Sequence, residues 1–184
     1  MGGTGNVAGE SSAGGASGAP DLPAGPCTYV VTGGASLPPA DAQFLCTNGS
    51  RVFQNNGAGD FSALFGGGFY LENSNDSSTL ACSLSSEAAP TTGDTWVLGA
   101  DHPGNCELSS QVGATTDLWK ATNVQAVGEV TLKFANVAVT QGTNDPSDVY
   151  YTCTIELSGT LAGETGAPDV TITGSFEIKV PLGA

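Results

Sequence analysis

The sequence predicts an all-β protein, an antiparallel β-sandwich of jelly-roll-like or immunoglobulin-like type that follows a disordered N-terminal tail rich in Gly, Ser and Ala. Three observations support this fold class. Only 12% of the 184 residues are charged and 27 are glycine, unlike the composition of helical proteins. Apolar and polar side chains alternate between residues 130 and 180. Turn-forming residues separate the alternating segments, as is typical of short strands joined by tight turns.

Residues 1–26 differ from the rest of the chain. They include no aromatic residue, and their only large aliphatic residues besides Met1 are Val7 and Leu22. Such a segment buries too little apolar surface to offset its ordering entropy, so we expect a flexible low-complexity tether. Its composition resembles the tether of mature bacterial lipoproteins, although Met occupies position 1 rather than a lipid-carrying Cys. The resemblance implies an anchored domain at a bacterial-type cell surface.

Residues 27–184 are expected to form a single β-sandwich domain. The clearest strands cover 130–139, 151–158 and 170–180, where the apolar residues fall on alternate positions. The alternation slips at Ala135–Asn136, which predicts a β-bulge, and the loops between the three strands predict an antiparallel meander. We expect its buried face to include Leu132, Phe134, Ile155, Leu157, Ile172, Phe176 and Ile178. Further strands are predicted at 27–32, 43–47, 61–65, 68–72, 80–85 and 95–98, and a short helical turn at 117–122.

The five cysteines form no CxxC pair, which disfavours a zinc site and favours disulfides made in an oxidising compartment. Cys82 and Cys106 flank one further predicted strand, so the chain can run out and return beside itself. Cys27 and Cys46 bound a segment with Gly-Gly and Pro-Pro turns. We therefore predict Cys82–Cys106 and Cys27–Cys46 bridges. Cys153 alternates with buried positions and is left unpaired, unless it pairs between chains.

The charge balance excludes several partners. Four Lys and Arg face 18 Asp and Glu, for a net charge of −14. Nucleic acid and anionic membrane surfaces would be repelled. No apolar run approaches the ~20 residues that span a bilayer, so we expect no direct membrane insertion. The sequence begins without an apolar signal-peptide core, so export would require a signal that has been removed.

No catalytic motif emerges. His102 is the only histidine, it lies in a predicted surface turn, and no G-x-S-x-G is present. Acid pairs for glycoside hydrolysis would have to come from Asp94, Asp101, Glu107 and Asp117. We therefore expect no enzymatic activity and no catalytic residue.

Two kinds of binding site stay open as alternatives. Oxygen-rich loops offer weak calcium sites at Glu72 and Asp76 or at Asp145 and Asp148, although such residues are also ordinary turn formers. We otherwise expect no cofactor and no metal. The candidate ligand-facing aromatic residues for a sugar are Trp96, Trp119 and Tyr150, although tryptophan in a small β domain is more often part of the core.

These observations favour an exported, extracellular or cell-surface protein with a non-catalytic structural or adhesive role, such as a subunit of an extracellular assembly. Its partners would be other surface proteins or copies of itself. A carbohydrate-binding module that recognises glycans is the first alternative, and a hydrolase with an unrecognised site is the second.

Overall fold

The computed structural model describes residues 27–33, 43–46, 61–70, 76–98, 103–122, 127–141, 149–164 and 166–181. These residues form ten β-strands and no helix. The strands are β1 Cys27–Gly33, β2 Gln43–Cys46, β3 Phe61–Tyr70, β4 Ser77–Ser86, β5 Thr95–Leu98, β6 Gly104–Val112, β7 Thr115–Thr122, β8 Glu129–Gln141, β9 Val149–Gly163 and β10 Val170–Pro181. The predicted tether, residues 1–26, lies outside the described residues.

The strands form two antiparallel layers. In the first sheet the order is β1-β10-β9-β8-β5, and in the second sheet it is β7-β6-β4-β3-β2. The end of β9 leaves the first sheet and pairs with β7, where Trp119 lies opposite Gly163. The long strand β9 therefore forms the corner that joins the two layers.

The core lies between the layers because alternate residues of both sheets point inward. The Phe65 ring of β3 contacts the Phe176 ring of β10, with centroids 5.0 Å apart. Phe61 of β3 contacts Tyr151 of β9 at 5.1 Å. These aromatic contacts cross from one sheet to the other, so the all-β sandwich expected from the alternation is confirmed.

The C-terminal meander and its register are also confirmed. β8, β9 and β10 pair in chain order, and all seven residues predicted for the buried face are at most 3% exposed. The pairing of β8 with β9 shifts between Ala135 and Ala138. Asn136 has a φ of 52°, a left-handed conformation that asparagine tolerates better than most residues. The bulge predicted from the slipped alternation therefore lies at the expected place.

The helical turn expected at 117–122 is wrong. These residues belong to β7, which pairs with β6 through a tight turn at Gly113, where φ is 61°. Trp119 and Ala121 are both fully buried and two residues apart, a spacing that a strand satisfies and a helix does not. Burial against the other sheet therefore overrides the local preference. The alternation pattern did not predict β6, and only the Cys82–Cys106 spacing pointed to a returning strand there.

The two strands expected at 61–65 and 68–72 are one strand, β3, and residues 71–72 lie outside the described ones. The glycines at 66–68 continue the pairing with β4 without a break. A side chain at Gly66 would place its Cβ 2.0 Å from the Leu80 carbonyl oxygen. The glycine here permits close approach of neighbouring backbones rather than ending the strand.

We predict that Phe176→Ala lowers the free energy of unfolding by ~3–5 kcal/mol, because it removes a fully buried ring and leaves a cavity beside Phe65. Chemical denaturation measures this change. Thr171→Ala, at an exposed position of the same strand, is the control and should cost under ~1 kcal/mol. Equal losses for the two variants would contradict the inward position of Phe176.

Candidate functional site

The Cys82–Cys106 disulfide lies inside the second sheet. The two residues are direct neighbours across β4 and β6, with Cα atoms 4.1 Å apart, and both are fully buried. The bridge predicted from the cysteine spacing is therefore present. It fastens two strands of the core and presents no sulfur to solvent, so its position is that of a structural bridge.

The second predicted bridge is only partly described. Cys27 at the start of β1 is buried and disulfide-bonded. The side chain of Cys46 lies outside those that the structure describes. The Cys27–Cys46 pairing therefore stays a prediction.

Cys153 is a free, buried thiol, as expected from its alternation with buried positions. It lies on the inward face of β9, between Tyr151 and Ile155. Burial raises the pKa of Cys153 to about 12, and the hydrogen bond with Tyr151 opposes this increase only in part. Since the thiolate is the nucleophilic form, Cys153 is not a reactive group at neutral pH.

Tyr151 is the polar neighbour of this thiol inside the core. Its hydroxyl donates a hydrogen bond to the Pro90 carbonyl oxygen at 2.6 Å. Burial is the main cause that raises the Tyr151 pKa, and the nearby Cys153 raises it further. Both groups therefore stay protonated at neutral pH, and the Tyr151 hydroxyl fastens the segment before β5 to β9.

Trp96 and Trp119, the two indoles considered for a sugar platform, are both buried and present no open ring face to solvent. Trp119 is fully buried, and its Nε1 donates to the Pro168 carbonyl oxygen at 2.9 Å. Trp96 is 7% exposed and packs against Phe134, with centroids 4.7 Å apart. The physical reason is the large apolar area of the indole, which stabilises the sandwich most when it is buried.

Tyr150 is half-exposed on the opposite side of β9 from Tyr151, as the alternation predicted. The Lys179 Nζ lies 3.9 Å from the centre of its ring, in a cation–π contact. This ammonium covers one face of the ring. A sugar that stacked on that face would have to displace Lys179.

The candidate acids do not form a catalytic pair among the described residues. Glu107 points away from the core and lies 3.7 Å from the Lys120 Nζ, which also contacts Glu164 at 3.1 Å. Asp117 lies on the opposite, Trp119 side of the second sheet. Asp94 belongs to the other layer, where its Oδ2 accepts a hydrogen bond from the Thr91 backbone N–H at 2.7 Å.

Several expected site residues lie outside the described residues, namely Asp101, His102, Glu72, Asp145 and Asp148. Asp76 is described, and its Oδ1 accepts a hydrogen bond from the Gly113 backbone N–H at 2.7 Å. This bond connects the start of β4 to the β6–β7 turn. Within the described ranges no three His, Cys, Asp or Glu side chains cluster as metal ligands would. None of the described segments is a helix long and apolar enough to cross a membrane.

Comparison with known proteins gives no relative. No protein-family model matches the chain, and no curated protein and no solved structure is significantly similar to it.

We predict that the double variant Cys82→Ala/Cys106→Ala loses ~3–4 kcal/mol of stability, because the bridge closes a loop with a sequence separation of 24. Chemical denaturation measures the loss, and Cys153→Ala is the control that removes a buried sulfur without removing a bridge. Non-reducing peptide mapping checks the pairing directly. A mapped peptide that links Cys82 or Cys106 to any other cysteine would contradict it.

We also predict that iodoacetamide does not label Cys153 in the folded protein at pH 8. The thiol is 4% exposed and its pKa of about 12 lies far above that pH, so the thiolate fraction and the access are both small. Mass spectrometry should find one labelled cysteine only after unfolding without reductant. Rapid labelling of the native chain at Cys153 would show that this part of β9 opens to solvent.

Proposed function

We propose that the chain is an exported β-sandwich protein with a non-catalytic, structural or adhesive role at a cell surface or in an extracellular assembly. The observation that carries the proposal is the buried Cys82–Cys106 bridge between adjacent core strands. Disulfides of this kind persist in oxidising compartments and are rare in the cytosol. A net charge of −14 favours solubility and disfavours nucleic acid as a partner.

The positions of the side chains best suited to catalysis or ring stacking support a structural role over a catalytic or sugar-binding one. Both tryptophans lie in the core, and Cys153 is protonated and enclosed. Tyr150 is engaged by Lys179. The side chains best suited to chemistry or stacking therefore stabilise the sandwich.

The outer face of the first sheet is suited to contact with polar surroundings. Threonine and serine side chains lie opposite each other across its strands, as in the in-register pairs Thr171–Thr160 and Thr173–Ser158. The exposed ion pair between the Lys133 Nζ and Glu156, at 2.9 Å, crosses the same face. This arrangement favours an outer surface that contacts water, a cell-wall layer or another protein.

The cellular experiment is thiol trapping in the organism that makes the protein. We expect that cells quenched with an alkylating reagent yield Cys82 and Cys106 as an unmodified, linked pair, and that protease applied to intact cells degrades the protein. Cytosolic enzymes of the same cells are the control and should survive the protease. Reduced, alkylated Cys82 and Cys106 in a protease-protected protein would contradict the proposal.

A deletion strain of the same organism tests the proposed structural or adhesive role. Deletion of the chain should alter surface integrity or adhesion, and a chain with Tyr150→Ala should restore it, because the proposal assigns no sugar stacking to that ring. Loss of complementation together with loss of binding to an isolated polysaccharide would favour the carbohydrate-binding alternative.

A further inference from the structure

The far end of β8 has one free edge among the described strands. Ala138–Gln141, which we call the β8 edge, pairs with β9 on one side. On the other side β5 pairs with β8 only between Val130 and Lys133. The turn before β5 covers the next part, where the Val137 N–H donates to the Thr92 Oγ1 at 3.0 Å. Beyond Val137, no described strand pairs with β8 on the side away from β9.

The β8 edge combines exposure with a strand-forming sequence. All four of its residues are exposed, and Val139, at 64%, is the one exposed large hydrophobic residue in the described part of the chain. Val137 packs partly against the core beside it. Val and Thr fit a pleated surface well, so the segment is already shaped as a pairing strand.

The β8 edge also lacks the devices that usually prevent pairing. Natural proteins protect edge strands with charged side chains, proline or a bulge. From Ala135 to Gln141 there is no charged residue and no proline, and the bulge at Ala135–Ala138 precedes the free edge rather than interrupting it. An uncharged, exposed edge with an apolar side chain is a template for another strand.

The uncharged character of the edge and its symmetry favour a second copy of the chain as its occupant. Two copies of a chain with a net charge of −14 repel each other over most of their surface, and the uncharged β8 edge is a place where they can approach with little repulsion. A strand edge is also complementary to itself in the antiparallel sense, so one two-fold axis satisfies both copies.

We propose that a second copy of this chain pairs its β8 edge antiparallel with the first, so that the first sheets of the two copies continue into one another and cover Val139. The contact involves four residues a side, so it is a weak association that a high local concentration strengthens. The proposal rests on the structural role proposed above and names its partner.

The test is sedimentation equilibrium of the full chain over a range of concentrations at low and high salt. We expect a reversible monomer–dimer equilibrium that salt strengthens, because salt screens the repulsion between acidic copies. Val139→Lys should raise the dissociation constant about tenfold or more, since it places like charges against each other at the two-fold axis. Thr171→Lys is the matched control, because it adds the same charge at an exposed position of β10, a strand paired on both sides.

Hydrogen–deuterium exchange of the unmodified chain gives a second measurement that does not depend on a variant. Amides of residues 138–141 should become protected as the concentration rises, while those near Thr171 should not change. A chain that is monomeric at every concentration and salt overturns the proposal. A dimer that survives Val139→Lys, or that Thr171→Lys weakens equally, also overturns it and indicates another interface. A dimer in a protein that thiol trapping places in the cytosol would leave the interface standing and remove the proposed role.

Discussion

The packing of two apolar sheet faces against each other is the constraint on which the rest of this structure depends. Each sheet has inward-pointing side chains at alternate positions, and neither can leave that face in water. The contacts between Phe65 and Phe176 and between Phe61 and Tyr151 cross the space between the layers. Burial of a large aromatic side chain contributes on the order of 2–3 kcal/mol, so a few such rings decide how the layers are aligned.

The need to fill this core with apolar groups explains why the aromatic and cysteine side chains are buried. Trp96 and Trp119 are the largest apolar groups available, and they pack inside rather than face a ligand. Trp119 meets the cost of burying its indole N–H through the Pro168 carbonyl, and Tyr151 does the same for its hydroxyl through Pro90. The two indoles and the Tyr151 hydroxyl therefore stabilise the core.

The cysteines follow the same principle. Cys82 and Cys106 fill buried positions opposite each other and add a covalent link within the second sheet. Cys153 fills a comparable position in the first sheet as a small apolar group whose pKa burial has raised. The proposed extracellular location rests on the Cys82–Cys106 bridge, because disulfides persist in oxidising compartments.

The sequence by itself determined the features that repeat at short range. Period-two alternation was enough to identify β8, β9 and β10, their buried residues, and the bulge where the alternation slips, because one residue of slip moves every side chain to the other face. It was also enough to place Tyr150 outside and Tyr151 inside. The Cys82–Cys106 spacing was informative because both residues lie on strands that return beside each other.

The tertiary structure alone decided what depends on distant neighbours. Residues 117–122 are a strand because Trp119 and Ala121 meet the other sheet, and no local pattern reports that contact. Glycines 66–68 continue β3 because the β4 backbone lies close beside them. The inward position of both tryptophans, and the free edge at Ala138–Gln141, likewise follow from which strands become neighbours, and strand order is set by long-range packing that local sequence does not encode.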